Sequence, residues 1–400
     1  MRQAWRWFGP NDPVSLDDIR QAGATDVVHA LHHVPPGEVW TVADVKARKA
    51  LVDMPPAGRS ALNWSVIESI PVADDIKRLG GEATKSIAVW IASLEAVAAA
   101  GINTVCYNFM PVVDWTRTDL DWLLPSGATA LRFDQRRFAA FDLHILKRSG
   151  AEQDYNDGER KAAQIEFEAM STADIETLSK TIAEGLPGGT TDALDLEAFR
   201  RRLADYKDVD APKLRKHLIE FLESVIPRAE ALNVKLALHP DDPPRPLLGL
   251  PRIASTAADY QALFDAVPSP ANGMCYCTGS LGVEAKNDLS AIAKKFSKRI
   301  YFAHLRAVRR EADRSFFEAD HLDGDVDMIA VLAELVAEDR TRGDGGKIPF
   351  RPDHGHRMLD DLKKRTNPGY SAIGRLKGLA ELRGAIRVLE LNHSGGQYPS

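Results

Sequence analysis

The stretch Ile348-Pro-Phe-Arg-Pro-Asp-His-Gly-His356 starts as a short apolar run and ends in an acid and two histidines. Proline and glycine break it, which predicts a strand running out into a loop. A carboxylate beside an imidazole at a strand's end suits a metal ligand with a proton-transfer group next to it. Alone, the stretch reads equally well as an exposed polar loop. Three earlier apolar runs end in the same way, in His239, Cys277 and His304. With Asp353 they make two imidazoles, a thiol and a carboxylate, a set able to hold one divalent cation. Each by itself is unremarkable, since a buried Cys is usually a small hydrophobe. The recurrence of a ligand-type residue at the same structural place is what carries the reading.

Strand alternation refines it. Residues two apart share a face, so Cys275 and Cys277 point the same way; Cys277, nearer the end, is the candidate ligand and Cys275 packs one layer deeper. His304 shares a face with Arg306, and Arg351 with Asp353. Arg306 and Arg351 are therefore candidates to hold an anionic group near the ion, or else form ordinary ion pairs. Mixed His/Cys/carboxylate ligation suits Fe(II), Mn(II), Co(II) or Zn(II) better than Mg(II) or Ca(II). Zinc favours tetrahedral closure, whereas catalysis needs open positions, so Fe(II) or Mn(II) is expected. His354 follows a ligand and Tyr370 sits in Asn-Pro-Gly-Tyr-Ser, past the last strand; both are candidate acid/base groups. A phenol of ordinary pKa ~10 would need lowering to act as a base. Trp7, His32, His33 and Asn108, with Asp114 to Arg117, are expected to wall the pocket.

The elements that must position these residues alternate. Strands are expected at 4–8, 26–31, 64–70, 102–109, 234–239, 273–278, 300–306 and 347–353, each followed by helical material. Strand–helix alternation implies parallel pairing with right-handed crossovers. Eight units close into a (β/α)8 TIM barrel, whose sites lie at the C-terminal strand ends. An open doubly wound sheet is the alternative, weakened because no Gly-x-Gly-x-x-Gly follows the first strand. The chain is expected to be one barrel domain, 1–400, with a helical insertion at 111–210 after the fourth strand, broken by glycines from Gly185, acting as a lid or an oligomer contact.

Composition bounds the function. The 400 residues are 44% hydrophobic and 27% charged, with a formal charge of −6. That suits a globular chain and gives no sign of nucleic-acid binding. Three cysteines argue against a disulfide framework and fit a reducing cytoplasm. The amino terminus lacks a signal-peptide apolar core, and the most apolar stretch, 86–102, holds a Glu and ends near Gly101, so no membrane span is expected.

Several motifs together carry a resemblance: Trp5-Arg-Trp-Phe-Gly-Pro-Asn-Asp-Pro-Val, Ala30-Leu-His-His-Val-Pro-Pro-Gly-Glu-Val-Trp, Val105-Cys-Tyr-Asn-Phe-Met-Pro, Leu131-Arg-Phe-Asp, Ala237-Leu-His-Pro-Asp-Asp-Pro-Pro, Cys277-Thr-Gly-Ser, His304-Leu-Arg, Arg351-Pro-Asp-His-Gly and Asn367-Pro-Gly-Tyr-Ser with Gly374-Arg-Leu-Lys-Gly. In these the chain resembles the mannonate dehydratases of the metal-dependent, sugar-isomerase-like barrel type, over nearly its whole length. The resemblance implies removal of water from D-mannonate to give 2-keto-3-deoxy-D-gluconate in hexuronate breakdown, with Fe(II) or Mn(II). It puts the ligands on His239, Cys277, His304 and Asp353, and the proton-transfer pair on His354 and Tyr370. Substrate contacts are expected from Arg306, Arg351, Asn108, Trp7 and His33, in a cytoplasmic homo-oligomer, dimer or tetramer. Three rivals are an aldose–ketose isomerase or epimerase, a non-catalytic sugar-acid binding protein and a purely structural metal site. Isomerases usually show carboxylate-dominated ligation, a binding protein needs no acid/base pair, and structural zinc sites take short local spacings.

Overall fold

The computed structural model describes residues 1–184 and 196–393. The glycine-rich break from Gly185 and the polar tail lie outside them. Twelve strands run in chain order: β1 (Arg2–Arg6), β2 (Asp26–His29), β3 (Asn63–Glu68), β4 (Thr104–Tyr107), β5 (Asp119–Leu123), β6 (Thr129–Phe133), β7 (Lys235–Leu238), β8 (Asn272–Cys277), β9 (Ile300–Leu305), β10 (Val308–Arg310), β11 (Phe316–Glu318) and β12 (Pro349–Pro352). Eight of them close a parallel barrel in the order β1-β12-β9-β8-β7-β4-β3-β2. All eight are the expected strands, with ends shifted by no more than two residues. Local signals set the helices between them. Ser15 caps Leu16–Gln21 in a capping box with Asp18, Thr256 does the same for Ala257–Ala266 with Asp259, and Asp288 caps Leu289–Phe296.

The insertion is not purely helical. It holds helices at Gln135–Ala140, Asp157–Ala169, Thr172–Glu184 and Leu196–Ala204, but also β5 and β6. These two join β10 and β11 in a second, antiparallel sheet of order β10-β11-β6-β5. The sequence hides them because they are short and charged, and because β11, the partner of β6, lies far along the chain, beyond β9. Strand propensity depends on such neighbours more than on the segment itself.

Two layers fill the barrel. Ala4, Val28, Val66, Cys106, Ala237, Cys275 and Phe302, from seven different strands, form one apolar plug. Residues of the other parity, such as Trp5, Val27, Ile67, Val105, Leu236, Met274 and Ala303, face the helices in the main core. Two residues beyond each plug residue, on the same face, come Arg6, Ala30, Glu68, Asn108, His239, Cys277 and His304. One floor of the barrel is therefore apolar, and the next, toward the mouth, carries the chemistry.

Candidate active site and metal centre

The four strand-end donors meet. His239 Nε2 lies 3.1 Å from His304 Nδ1, Cys277 Sγ 3.8 Å from Asp353 Oδ2, and His304 Nδ1 3.9 Å from the same Oδ2. Donor atoms held ~2.0–2.3 Å from one transition-metal ion must lie roughly 3–4.5 Å from each other, so this spacing fits a shared ion. Each donor is also turned inward by a partner behind it, as ligands require. His239 Nδ1–H donates to the Pro240 carbonyl at 2.7 Å, which leaves the Nε2 lone pair facing the centre. His304 turns Nε2 toward Glu68, 3.5 Å away, and Nδ1 toward the centre. Cys277 Sγ accepts the Ser280 N–H at 3.4 Å, at the start of the short helix Thr278–Gly282. Asp353 accepts from Arg306 Nε at 2.6 Å and from Arg351 Nη1. Burial alone would raise its pKa; Arg351, His354, His304 and Arg306 outweigh burial and hold it well below the usual carboxylate range.

A second trio, Cys106, Cys275 and His304, also comes within ligand range. It belongs to the apolar plug, and burial pushes both thiols up, keeping them protonated. Its cysteines pack the barrel floor, as expected of Cys275.

With Asp353 counted, four guanidiniums and four carboxylates meet at the donors. Arg6 and Arg351 pair with Glu68 at 3.2 and 3.0 Å. Arg117 pairs with Asp242 and Glu318 at 2.8 and 2.7 Å. Arg306 bonds Asp353, Glu318 and Asp242. Glu68 and Glu318 stay ionised: burial raises each, but the neighbouring arginines prevail and hold both below their ordinary range. The shell is neutral in sum, as a buried ionic cluster must be to avoid a large desolvation cost.

Above the centre opens a cavity of about 280 Å³. His239, Asp353, His354, Tyr370, Asn108 and Arg351 line it, and Asp114 and Trp115 reach in from the insertion as expected. Three expected substrate contacts are placed differently. Trp7 has the wrong parity: it turns outward against His29, ring centroids 4.9 Å apart, while Arg6 and Phe8 face the cavity. His33 is exposed, whereas His32, also expected at the pocket wall, lines the cavity. Burial, with Arg6 and Arg48 nearby, drops the His32 pKa to about 3, so that ring is neutral. Arg306 lines the cavity but spends all its donors on Asp353, Glu318, Asp242 and Ser280 Oγ. It holds Asp353 in place and has no donor left for a substrate carboxylate.

Sequence reading did not single out Arg6, Glu68, Asp242 or Glu318 as site residues. For Arg6 and Glu68 the signal was present: each lies two residues beyond a plug residue, as His239 and Cys277 do. Glu318 had no such signal, because it comes from the second sheet.

The proton-transfer candidates face each other at the cavity's edge. The His354 and Tyr370 rings are 5.2 Å apart and near perpendicular. Burial pushes the Tyr370 pKa up to about 12, against the pull of Arg351. Gly369 sets this approach, with φ +77°; a Cβ there would come within 2.6 Å of Leu131 and 3.1 Å of the His354 ring. Gly369→Ala is expected to cost more than ~1 kcal/mol of stability and to lower kcat by displacing both rings, read out by thermal unfolding and steady-state rates.

The family model described as D-mannonate dehydratase (UxuA) matches residues 1–394. A mannonate dehydratase of Brucella melitensis biotype 2 is 61% identical over 391 residues, covering 98% of each chain. One from Chromohalobacter salexigens is 55% identical over 393 residues, covering 98% of this chain and 99% of the relative. The crystal structure of mannonate dehydratase from Streptococcus suis serotype2 superposes with a TM-score of 0.76 at 31% identity, covering 100% of this chain and 96% of that one. With a model and full-length relatives of one kind, the chain belongs to the D-mannonate dehydratase family, whose members are hydro-lyases.

Proposed function

We propose that this chain removes water from D-mannonate, giving 2-keto-3-deoxy-D-gluconate, at the cavity above the four strand-end donors. The observation that carries the reading is the convergence of His239, Cys277, His304 and Asp353 beside an imidazole and a protonated phenol. Those four residues would hold the ion, and Fe(II) or Mn(II) suits their mixed N, S and O donors. When bound, it supplies positive charge next to the reacting carbons, needed because a C–H beside a carboxylate is a very weak acid.

The chain's own groups do the rest. Arg351 and Arg6 line the cavity, and each keeps an Nε–H with no protein acceptor. They replace Arg306 as the cations that meet the substrate carboxylate. Asn108 and neutral His32 are placed to bond hydroxyls. His354 takes the C2 proton, and Tyr370, which keeps its proton at neutral pH, protonates the departing C3 hydroxyl. The enol then becomes the ketone.

Incubation with Mn(II) or Fe(II) and a panel of hexonates tests this. D-Mannonate is expected to yield the 2-keto-3-deoxy acid, and full turnover after exhaustive chelation would sink the metal reading.

A homo-oligomer, dimer or tetramer, belongs to the same proposal. Leu123 on β5 and Leu359 beside the second sheet are 66% and 70% exposed, apolar surface that a partner copy would cover. A cytoplasmic location is supported by three free, buried cysteines. Among the described residues no helix is long and apolar enough to cross a membrane.

A further inference from the structure

We infer that Glu318 is a positioning residue for His354: its carboxylate holds Nδ1–H, fixing the tautomer whose Nε2 lone pair is free to take a proton. The inference rests on the proposal that His354 is the base.

The contacts are specific. Glu318 Oε1 lies 3.1 Å from His354 Nδ1. An ionised carboxylate only accepts hydrogen bonds, so Nδ1 must be the protonated nitrogen. In the neutral ring Nε2 is then the acceptor, 3.7 Å from Asp353 Oδ1 and beside the cavity. Trp115 closes another side of the ring, centroids 5.7 Å apart. A base oriented by a carboxylate behind it is the arrangement that general-base histidines need.

Glu318 is itself pinned from several directions. Its oxygens accept from Arg306 Nη1 at 2.7 and 2.9 Å and from Arg117 Nη2 at 2.7 Å. Its main-chain carbonyl accepts His356 Nε2–H at 2.8 Å. Its strand, β11, is paired on both edges, with β6 and with β10. Arg117 is clamped between the Trp115 and Phe316 rings, 4.8 Å from each centroid. Both β6 and Arg117 come from the insertion. The second sheet and the insertion thus act as a buttress that delivers one carboxylate to a barrel histidine. Arg306 has Asp242 and Asp353 as partners besides Glu318, so charge balance at Arg306 alone does not require Glu318 to touch His354.

The test is a cycle on the metal-loaded enzyme. Glu318→Gln is expected to keep its metal and its fold, with a lower melting temperature because Arg117 and Arg306 each lose a charged partner, to leave KM near wild type and to lower kcat by about 10²–10⁴-fold. The double variant E318Q/H354N should be no slower than H354N, because both changes disable one unit. If E318Q keeps wild-type kcat while H354N is inactive, or if the two losses multiply, the positioning role is wrong. If H354N itself stays active, the base assignment fails instead. If E318Q loses its fold or its metal, 15N-histidine spectra of the wild-type holoenzyme decide, with the His354 signal among eleven histidines assigned by its absence in H354N. A protonated Nδ1 supports the inference; a protonated Nε2 with bare Nδ1 overturns it.

Discussion

His239→Ala is expected to empty the metal centre while leaving the barrel folded. His239 is partly exposed at the cavity, and its ring bonds the Pro240 carbonyl and His304. Its removal strands no buried charge, so the stability cost should stay near ~1–2 kcal/mol. The functional cost is larger. A cation that offsets developing charge contributes several kcal/mol, and each ~1.4 kcal/mol is tenfold in rate. The expected fall in kcat/KM is at least ~10³-fold, with little metal retained after gel filtration. Asp353 would be a poorer probe: its loss leaves Arg306 and Arg351 without a shared buried partner, and breaking a buried pair costs ~3–5 kcal/mol. An H239A enzyme with one ion per chain and full activity would remove His239 from the ligand set.

The second large effect separates the two proton transfers. His354→Asn and Tyr370→Phe should each lower kcat by about 10²–10⁴-fold, the usual worth of a positioned acid or base. They should differ in isotope exchange. Y370F keeps the base, so D-mannonate should still exchange its C2 hydrogen with solvent deuterium; H354N should not. Exchange in H354N and none in Y370F would reverse the roles. The sign follows from the phenol's environment: burial raises its pKa to about 12, more than Arg351 lowers it. An acid works below its pKa, so a fall in rate between neutral pH and about pH 11 belongs to some other group.

Most of the barrel was legible in the sequence because parallel strands, covered on both faces, read as compact apolar runs. The convergence of His239, Cys277, His304 and Asp353 was legible for the same reason: each closes one run, and barrel strand ends converge at one mouth. Strand parity accounts for Trp7, which lies between the cavity-facing Arg6 and Phe8, whereas His33 turns to solvent in the turn beyond β2, where strand alternation no longer applies. The four short strands β5, β6, β10 and β11 were missed because they are short and partly charged, and because the two hairpins they form join into one sheet only through the distant pairing of β6 with β11. Arg306 was given to the substrate because its face was correct; how many protein carboxylates converge on it is no property of its own strand.

Local order along the chain, then, was enough to decide the eight-fold alternation and that His239, Cys277, His304 and Asp353 close neighbouring strands of it, since alternation and chain order dictate which side chains share one face of one strand. Tertiary structure alone decided that Glu68, Asp242, Glu318, Arg6 and Arg117 surround them, that Arg306 is fully engaged and that His33 turns away from the cavity that His32 lines. Those outcomes depend on distances between segments far apart in the chain, from Arg117 to Glu318 above all, and no local pattern of residues encodes them.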